Sequence, residues 1–519
     1  MGRPPSRRSD SSRQRRDGCD RHPLIYGHGV STVYDLVLSR GRVIDPESGL
    51  DAVRDVGIAG DTVREIGSDL AGTVTVDVSG LVVSPGFVDL HSHSQDVPGQ
   101  RLQALDGVTT ALELEAGAFP VEHAYRRAAG EGRPVNYGFS TSWAAARMHV
   151  LAGAPAVADL DQLLAHVGDP RWQAAAAPGD VDRIIGLLEA DLAVGALGIG
   201  VLLGYAPGTD PAEYLAVAAL AARHGVPTYT HARDLVEADP HVAVDGAEEI
   251  VRAAGETGAH MHYCHLNSTS GRHVDRVLAL VEKVRREGST VTTEAYPYGA
   301  GMTGIGAAFL APELLHRRGL TPSSIGHLAL GRRISDADEL RRVREEDPGA
   351  LAFVHQTDES DPAAFGVVQR ALAFPDAAVA SDAIAPLWPA GQRDPLRWPL
   401  PPQVATHPRT AGTFARTMRL LVRELGLLSL PEAVRRCTLV PARIVQEAAP
   451  AMRRKGRLQL GCDADVTVFD PETVSDRSTY TDTTRPSTGI RHVLVGGRFV
   501  VRDGVLDTGA LPGRAVRGG

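Results

Sequence analysis

Between residues 86 and 450 short apolar runs alternate with longer Ala- and Leu-rich stretches, and the runs end in histidine or an acid. VTTALELE (108–115) precedes one helical region, and VPTYTHA (226–232) follows AEYLAVAALAARHG. AHMHYCH (259–265) comes before HVDRVLALVEKVRREG, and STVTTEAY (289–296) and AAVASD (377–382) follow it. Strand-then-helix units repeated over this length predict an α/β chain closed into a (β/α)8 TIM-like barrel. Chemistry in such a barrel sits at the C-terminal ends of the strands, which is where these polar residues fall.

The residues at those ends form a pattern. SPGFVDLHSH (84–93) delivers His91 and His93. In an extended chain residues i and i+2 face the same way, so both rings can meet one metal ion. Glu113 and Glu115 lie on the next apolar strand, where a carboxylate is costly to bury without a cation or a proton. His231 closes VPTYTHA, and His265 closes AHMHYCH, with His260 and His262 as competitors of uncertain register. Asp382 ends an apolar run and needs a metal, a cation or hydrogen bonds there. Any one of these histidines alone reads as an ordinary buried residue. Successive strand ends in the order His, His, acid, His, His, Asp are what a hydrolytic metal centre requires.

The chain ends have another texture. YDLVLSRGRVID and VRDVGIAGDTVREIG near the start, and ADVTVFD and IRHVLVGGRFVVRDG near the end, alternate apolar and polar residues around glycine turns. They predict a small β-sandwich domain formed from both ends, residues 34–84 and 451–508, around a catalytic barrel at 85–450. Residues 1–33, rich in Arg, Ser and Asp, read as a disordered tail. Stretches near 138–178 and 300–350 show little strand pattern and read as insertions above the barrel mouth, the second a lid.

A net charge of −9 gives no reason to expect nucleic acid, and no apolar run is long enough to span a membrane. The four cysteines are far apart and share no finger-like spacing, which reads as reduced thiols in a cytoplasmic protein. Oligomeric state is open.

With SPGFVDLHSH stand GVTT (107–110), THAR at His231, CHLNS at His265, EAYPYGAG (294–301), ASD at Asp382 and HPRTAGTF (407–414). Through these the chain resembles the amidohydrolase superfamily over residues 34–505, and within it the N-acyl-D-amino-acid deacylases, or D-aminoacylases. The resemblance implies a metal-dependent hydrolase that splits the amide of an N-acyl-D-amino acid into a carboxylate and a free D-amino acid. It also implies one or two Zn2+ ions, another divalent metal being possible. Glu115, His231 and His265 would form the tighter site, and His91, His93 and Asp382 a second, weaker or empty one. Asp382 would accept a proton from water and pass it to the leaving nitrogen.

Two departures stand out. The deacylases commonly close the second strand with a ligand cysteine, but Ala116 stands there and no cysteine is available. The carboxylated lysine of other superfamily members is excluded as well, since Lys283 and Lys455 are the chain's two lysines and neither can serve. The neighbouring carboxylate is the expected substitute, Glu115 first and Glu113 second. The deacylase lysine two residues after the fourth-strand histidine is here Asn267, which keeps hydrogen bonding and loses the charge. Arg409 offers a planar fork for the substrate carboxylate, and Tyr296 and Tyr298 could add hydroxyl donors. Arg233 could meet a second carboxylate, though an exposed salt-bridging role fits it better. The alternatives are a cyclic amide hydrolase of the dihydroorotase or hydantoinase kind and a non-catalytic scaffold. The acyl group and the side-chain preference are not legible.

Overall fold

In a computed structural model, Gly2 and residues 33–519 are described, except 157–159 and 243. The expected tail at 1–33 lies outside the described residues apart from Gly2 and Val33, and Val33 begins the first strand of the sheet at the chain ends.

Eight parallel strands follow one another around the barrel in sequence order. They are β1 (Phe87–Asp89), β2 (Val108–Ala118), β3 (Asn136–Ser142), β4 (Ile199–Val201), β5 (Thr228–Thr230), β6 (Met261–Tyr263), β7 (Val291–Ala295) and β8 (Ala378–Val379). Closure between β8 and β1 is made just past both strands. His93 N–H donates to the Ala383 carbonyl at 2.8 Å and Ala383 N–H to the His91 carbonyl at 3.3 Å. The seam of the barrel therefore runs between two predicted metal ligands and Asp382.

Local chemistry sets the helices between strands. Pro211–His224 starts at Asp210, whose carboxylate accepts from Ala212 N–H, and stops at Gly225 with φ 65°. Gly246–Thr257 is capped in the same way by Asp245 and Gly258. An acceptor at the N-cap satisfies otherwise unpaired N–H groups, and glycine tolerates the left-handed stop. Val274–Arg286 buries Val274, Val277 and Val281, a stripe at helical spacing laid on the barrel wall.

Strands from both chain ends join one nine-stranded sheet, in which Val82–Pro85 of the N-terminal part pairs with Val466–Phe469 of the C-terminal part. Leu36, Val43, Ile58, Val466 and Leu494 share its apolar core. The last residues then return to the barrel: Val516 N–H donates to the Tyr137 carbonyl at 2.7 Å, and Val516 is buried.

The two irregular stretches are more ordered than their sequences suggested. Residues 138–142 belong to β3, and the excursion from 143 is helical. Around 300–350 a four-stranded antiparallel sheet forms from Ala300–Gly304, Leu351–His355, Ile325–His327 and Arg332–Arg333, so the element extends to His355. Ile305, Leu310, Leu320, Ile325 and Leu340 give it a core of its own. These strands are too short and too broken by glycine for period-two patterning to reveal them.

Candidate metal centre

His91 and His93 extend β1, and their rings turn toward the barrel axis with Nε2 atoms 3.1 Å apart. Glu115 comes up from β2 between the histidines. Its Oε2 lies 3.2 Å from His91 Nε2, and its Oε1 lies 3.2 Å from His231 Nδ1 and 2.7 Å from His265 Nε2. Asp382 completes the ring, with Oδ1 3.4 Å from His93 Nε2 and 3.5 Å from His91 Nε2. Donor atoms thus gather in triads that share residues: His91, His93 and Glu115; Glu115, His231 and His265; His91, His265 and Asp382.

Two of these residues sit in strained backbone. His265 has φ 29° and Asp382 φ 51°, values that side-chain-bearing residues rarely adopt. Such strain persists where surrounding structure fixes it, and it is concentrated at functional sites. Here it turns the chain at the ends of β6 and β8 so that both side chains face inward. Gly200 on β4 makes room for the glutamate: an added Cβ would lie 2.3 Å from the Glu115 carbonyl oxygen.

Glu113, the alternative to Glu115, is drawn elsewhere. Its oxygens lie 2.9 and 3.0 Å from His93 Nδ1, and Oε1 accepts from Gly117 N–H, so it orients a ring and stands outside the triads. Both carboxylates face inward from one strand, and cross-barrel distance separates their surroundings. His260 and His262 also stand back from the triads. His262 meets Glu294 Oε2 at 3.1 Å and Thr292 Oγ1 at 2.9 Å, and His260 meets that same hydroxyl at 2.8 Å.

Sequence reasoning passed over Glu294. Its Oε1 lies 2.5 Å from His91 Nδ1, and both side chains are 1% exposed. A lone acid in the apolar run VTTEA is the signal already applied to Asp382, and it would have found this residue. Cys264 was passed over too. No cysteine stands at Ala116, yet Cys264 is buried and free and groups with His91 and Glu294.

The substrate-binding expectations divide. Arg409 is fully buried, with Nη2 2.8 Å from Asp382 Oδ2, Nε donating to the Asp382 carbonyl at 2.5 Å, and its guanidinium 4.8 Å above the Tyr296 ring. Its Nη1 has no hydrogen-bond partner among the described residues. Asn267 accepts from Tyr296 N–H at 3.4 Å. Tyr298 is placed for packing: its hydroxyl donates to the Pro408 carbonyl at 3.4 Å, and its ring meets Arg416 and His407. Arg233 is buried rather than exposed and is spent on Glu249 at 2.6 and 3.0 Å. It is unavailable to a second substrate carboxylate.

Charge supplies the test of whether a cation fits. Glu113, Glu115, Glu294 and Asp382 are all buried, and among the described residues Arg409, on Asp382, is the one arginine or lysine that pairs with any of them. Burial lowers the proton affinity of the His91 ring, but Glu115, Asp382 and Glu294 outweigh it and hold that ring well above its ordinary value. Burial acts likewise on His93, where Glu113 and Asp382 raise the ring to about 10. Burial would raise Glu115, yet His91, His265 and His231 pull it well below the usual carboxylate range. Burial depresses His231 despite Glu115. Carboxylates that hold protons on buried rings will hold a divalent cation in their place, and imidazole with carboxylate is a donor set suited to zinc. The residues fit the metal.

A profile of the amidohydrolase family matches residues 74–501. The D-aminoacylase of Alcaligenes xylosoxydans xylosoxydans is 30% identical, covering 94% of this chain and 98% of its own length. The N-acyl-D-glutamate deacylase of the same organism is 30% identical, covering 89% and 93%. The crystal structure of N-acyl-D-glutamate deacylase from Bordetella bronchiseptica, complexed with zinc and a phosphonate mimic of the tetrahedral intermediate, superposes with TM-score 0.72. That match covers 94% of this chain and 100% of that one at 25% identity.

Proposed function

The chain belongs to the amidohydrolase family, and from that premise we propose that it hydrolyses the linear amide of N-acyl-D-amino acids, giving a carboxylate and a free D-amino acid. The observation that carries this is Glu115, whose two oxygens face the two groups of histidines from one strand. It stands in the place of the missing cysteine at Ala116. Glu115, His231 and His265 are assigned the tighter metal site, and His91, His93 and Asp382 the weaker one. When bound, a divalent metal, zinc first, supplies Lewis acidity toward water and the amide carbonyl.

The other roles fall to the chain's own groups. Asp382 receives the proton of the attacking water and hands it to the leaving nitrogen. Burial would raise its carboxylate, but Arg409 and the His91 and His93 rings outweigh that and hold it below the ordinary range, so it is ionised and open to a proton. Arg409 holds Asp382 in place and offers the unpaired Nη1 to the substrate α-carboxylate, beside Tyr296 and Asn267. Trapping the amide between these groups fixes which face meets the water.

The substrate partner is a small molecule, and no helix among the described residues is long and apolar enough to cross a membrane. The three described cysteines are free and buried, in keeping with a cytoplasmic location.

The test is metal analysis of the purified protein together with amine release from paired N-acetyl-D and N-acetyl-L amino acids. Bound zinc and release confined to the D series is the expected result. Bound zinc with release only from cyclic amides would refute the assignment.

A further inference from the structure

We propose, building on the deacylase assignment above, that the acyl group of the substrate is a long or bulky apolar one, carried in a groove that leads away from the metal centre. Two spaces meet at the cluster. A groove of about 820 Å3 and a chamber of about 50 Å3 share His93, Leu164, Leu351 and Ile384. An amide that reaches the cluster lies at this junction, with one substituent directed into each space. One substituent has little room and the other has a great deal.

The position of Arg409 decides which half goes where. The small chamber is bounded by Met302 and Thr303. The residue before them, Gly301, runs beside the arginine: an added Cβ there would meet the Tyr296 hydroxyl at 3.2 Å and Arg409 Nη1 at 3.6 Å. The unpaired Nη1 is therefore on the chamber side, and an α-carboxylate bound to it puts the amino-acid half there. The groove is left to the acyl half.

Its walls are mixed: Asp96, His123, Arg127, Asp347 and Arg393 line it too, and beside them runs an apolar strip that an acyl chain would cover. Phe119 and Phe139 line it from the barrel rim, and Leu387, Trp388 and Pro389 line it from the loop after Asp382. Leu387 is 41% exposed, an apolar side chain that an occupant of the groove would cover. At ~30 Å3 per water-sized unit the groove holds on the order of 25 such units. An acetyl group brings three heavy atoms and would leave most of that space to water. Each methylene taken from water into the groove is worth about fourfold in kcat/KM when the contact is kept in the transition state.

The experiment uses the zinc-loaded full chain and one D-amino acid carried as its N-acetyl, N-hexanoyl and N-decanoyl derivatives. The expected result is a kcat/KM at least about tenfold higher for decanoyl than for acetyl. Ala124→Phe, on the helix Val121–Glu131 that lines the groove, should abolish that gain and leave the acetyl rate unchanged. Ala165→Phe, at an exposed position on the helix Leu160–His166 that also lines the groove, is the second variant should the first fail to fold. Decanoate alone should raise the Tm of the parent and not of the folded variant. A flat or falling series, or a length-dependent gain that survives both variants, would overturn the proposal and leave the deacylase assignment standing. Release from no member of the series, acetyl included, would overturn both.

Discussion

Replacing Glu294 by glutamine tests whether the centre depends on a residue that is not itself assigned as a ligand. The carboxylate is shared: Oε1 meets His91 Nδ1 at 2.5 Å and accepts from His265 N–H at 3.3 Å, and Oε2 meets His262 Nε2 at 3.1 Å. An acceptor at Nδ1 keeps the proton there and leaves Nε2, the atom facing Glu115 and His93, free for a metal. Glutamine has one acceptor and one donor, so at His91 or His262 an N–H must face an N–H or the ring must change tautomer. A lost hydrogen bond to a charged buried group costs about 1.5–3 kcal/mol. Loss of such an outer partner typically weakens metal binding by about 10–100-fold, which is roughly 1.4–2.8 kcal/mol. The two routes agree. The assay is zinc competition against a chromophoric chelator, with circular dichroism to verify the fold. Weakening of zinc binding by at least tenfold in a folded protein is the expected outcome. Zinc affinity within twofold of the parent would refute the claim that Glu294 sets the tautomer of His91.

Three further changes probe other parts of the molecule. Asp382→Asn should retain most of the metal and lose about 100–10,000-fold in kcat, the range for a positioned acid–base group; near-normal turnover in a metal-loaded variant would remove Asp382 from the reaction. Gly200→Ala puts a Cβ 2.3 Å from the Glu115 carbonyl. It should lower stability by about 1–3 kcal/mol and weaken zinc binding, as read by denaturant melts and chelator competition. His260 is depressed to about 3 by burial first and then by His262 and Arg285. Between pH 6.5 and 3 the unfolded chain therefore binds the extra proton, so stability is full above the unfolded value and falls as pH drops through this window. His260→Gln should recover about 2 kcal/mol of that loss at pH 5, and an acid limb as steep as the parent's would contradict the assignment.

Much of the centre was legible because a simple rule applied at each strand end. A polar, metal-competent residue closing an apolar run marked His91, His93, His231, His265 and Asp382, and the structure gathers all five. The same rule applied to VTTEA would have added Glu294. It could not choose between Glu113 and Glu115, which share a strand and a parity. Tyr298 and Arg233 were named for their chemistry, but their partners, Pro408 and Glu249, come from other elements. The short strands of the sheet around 300–355 escaped because pairs and triplets of residues carry no measurable period.

By itself the sequence determined the alternation of strands and helices, the faces on which the candidate ligands lie, and the alanine at position 116. Those follow from backbone periodicity and residue chemistry, which are local. The tertiary structure alone decided that Glu115 and not Glu113 reaches both histidine groups, and that Arg409 rests on Asp382. It also joined His91 to a carboxylate 203 positions away and set a large groove beside a small chamber at His93. Those distances are fixed by the closure of the barrel and by what packs on its rim, and neither is encoded within the reach of a single strand.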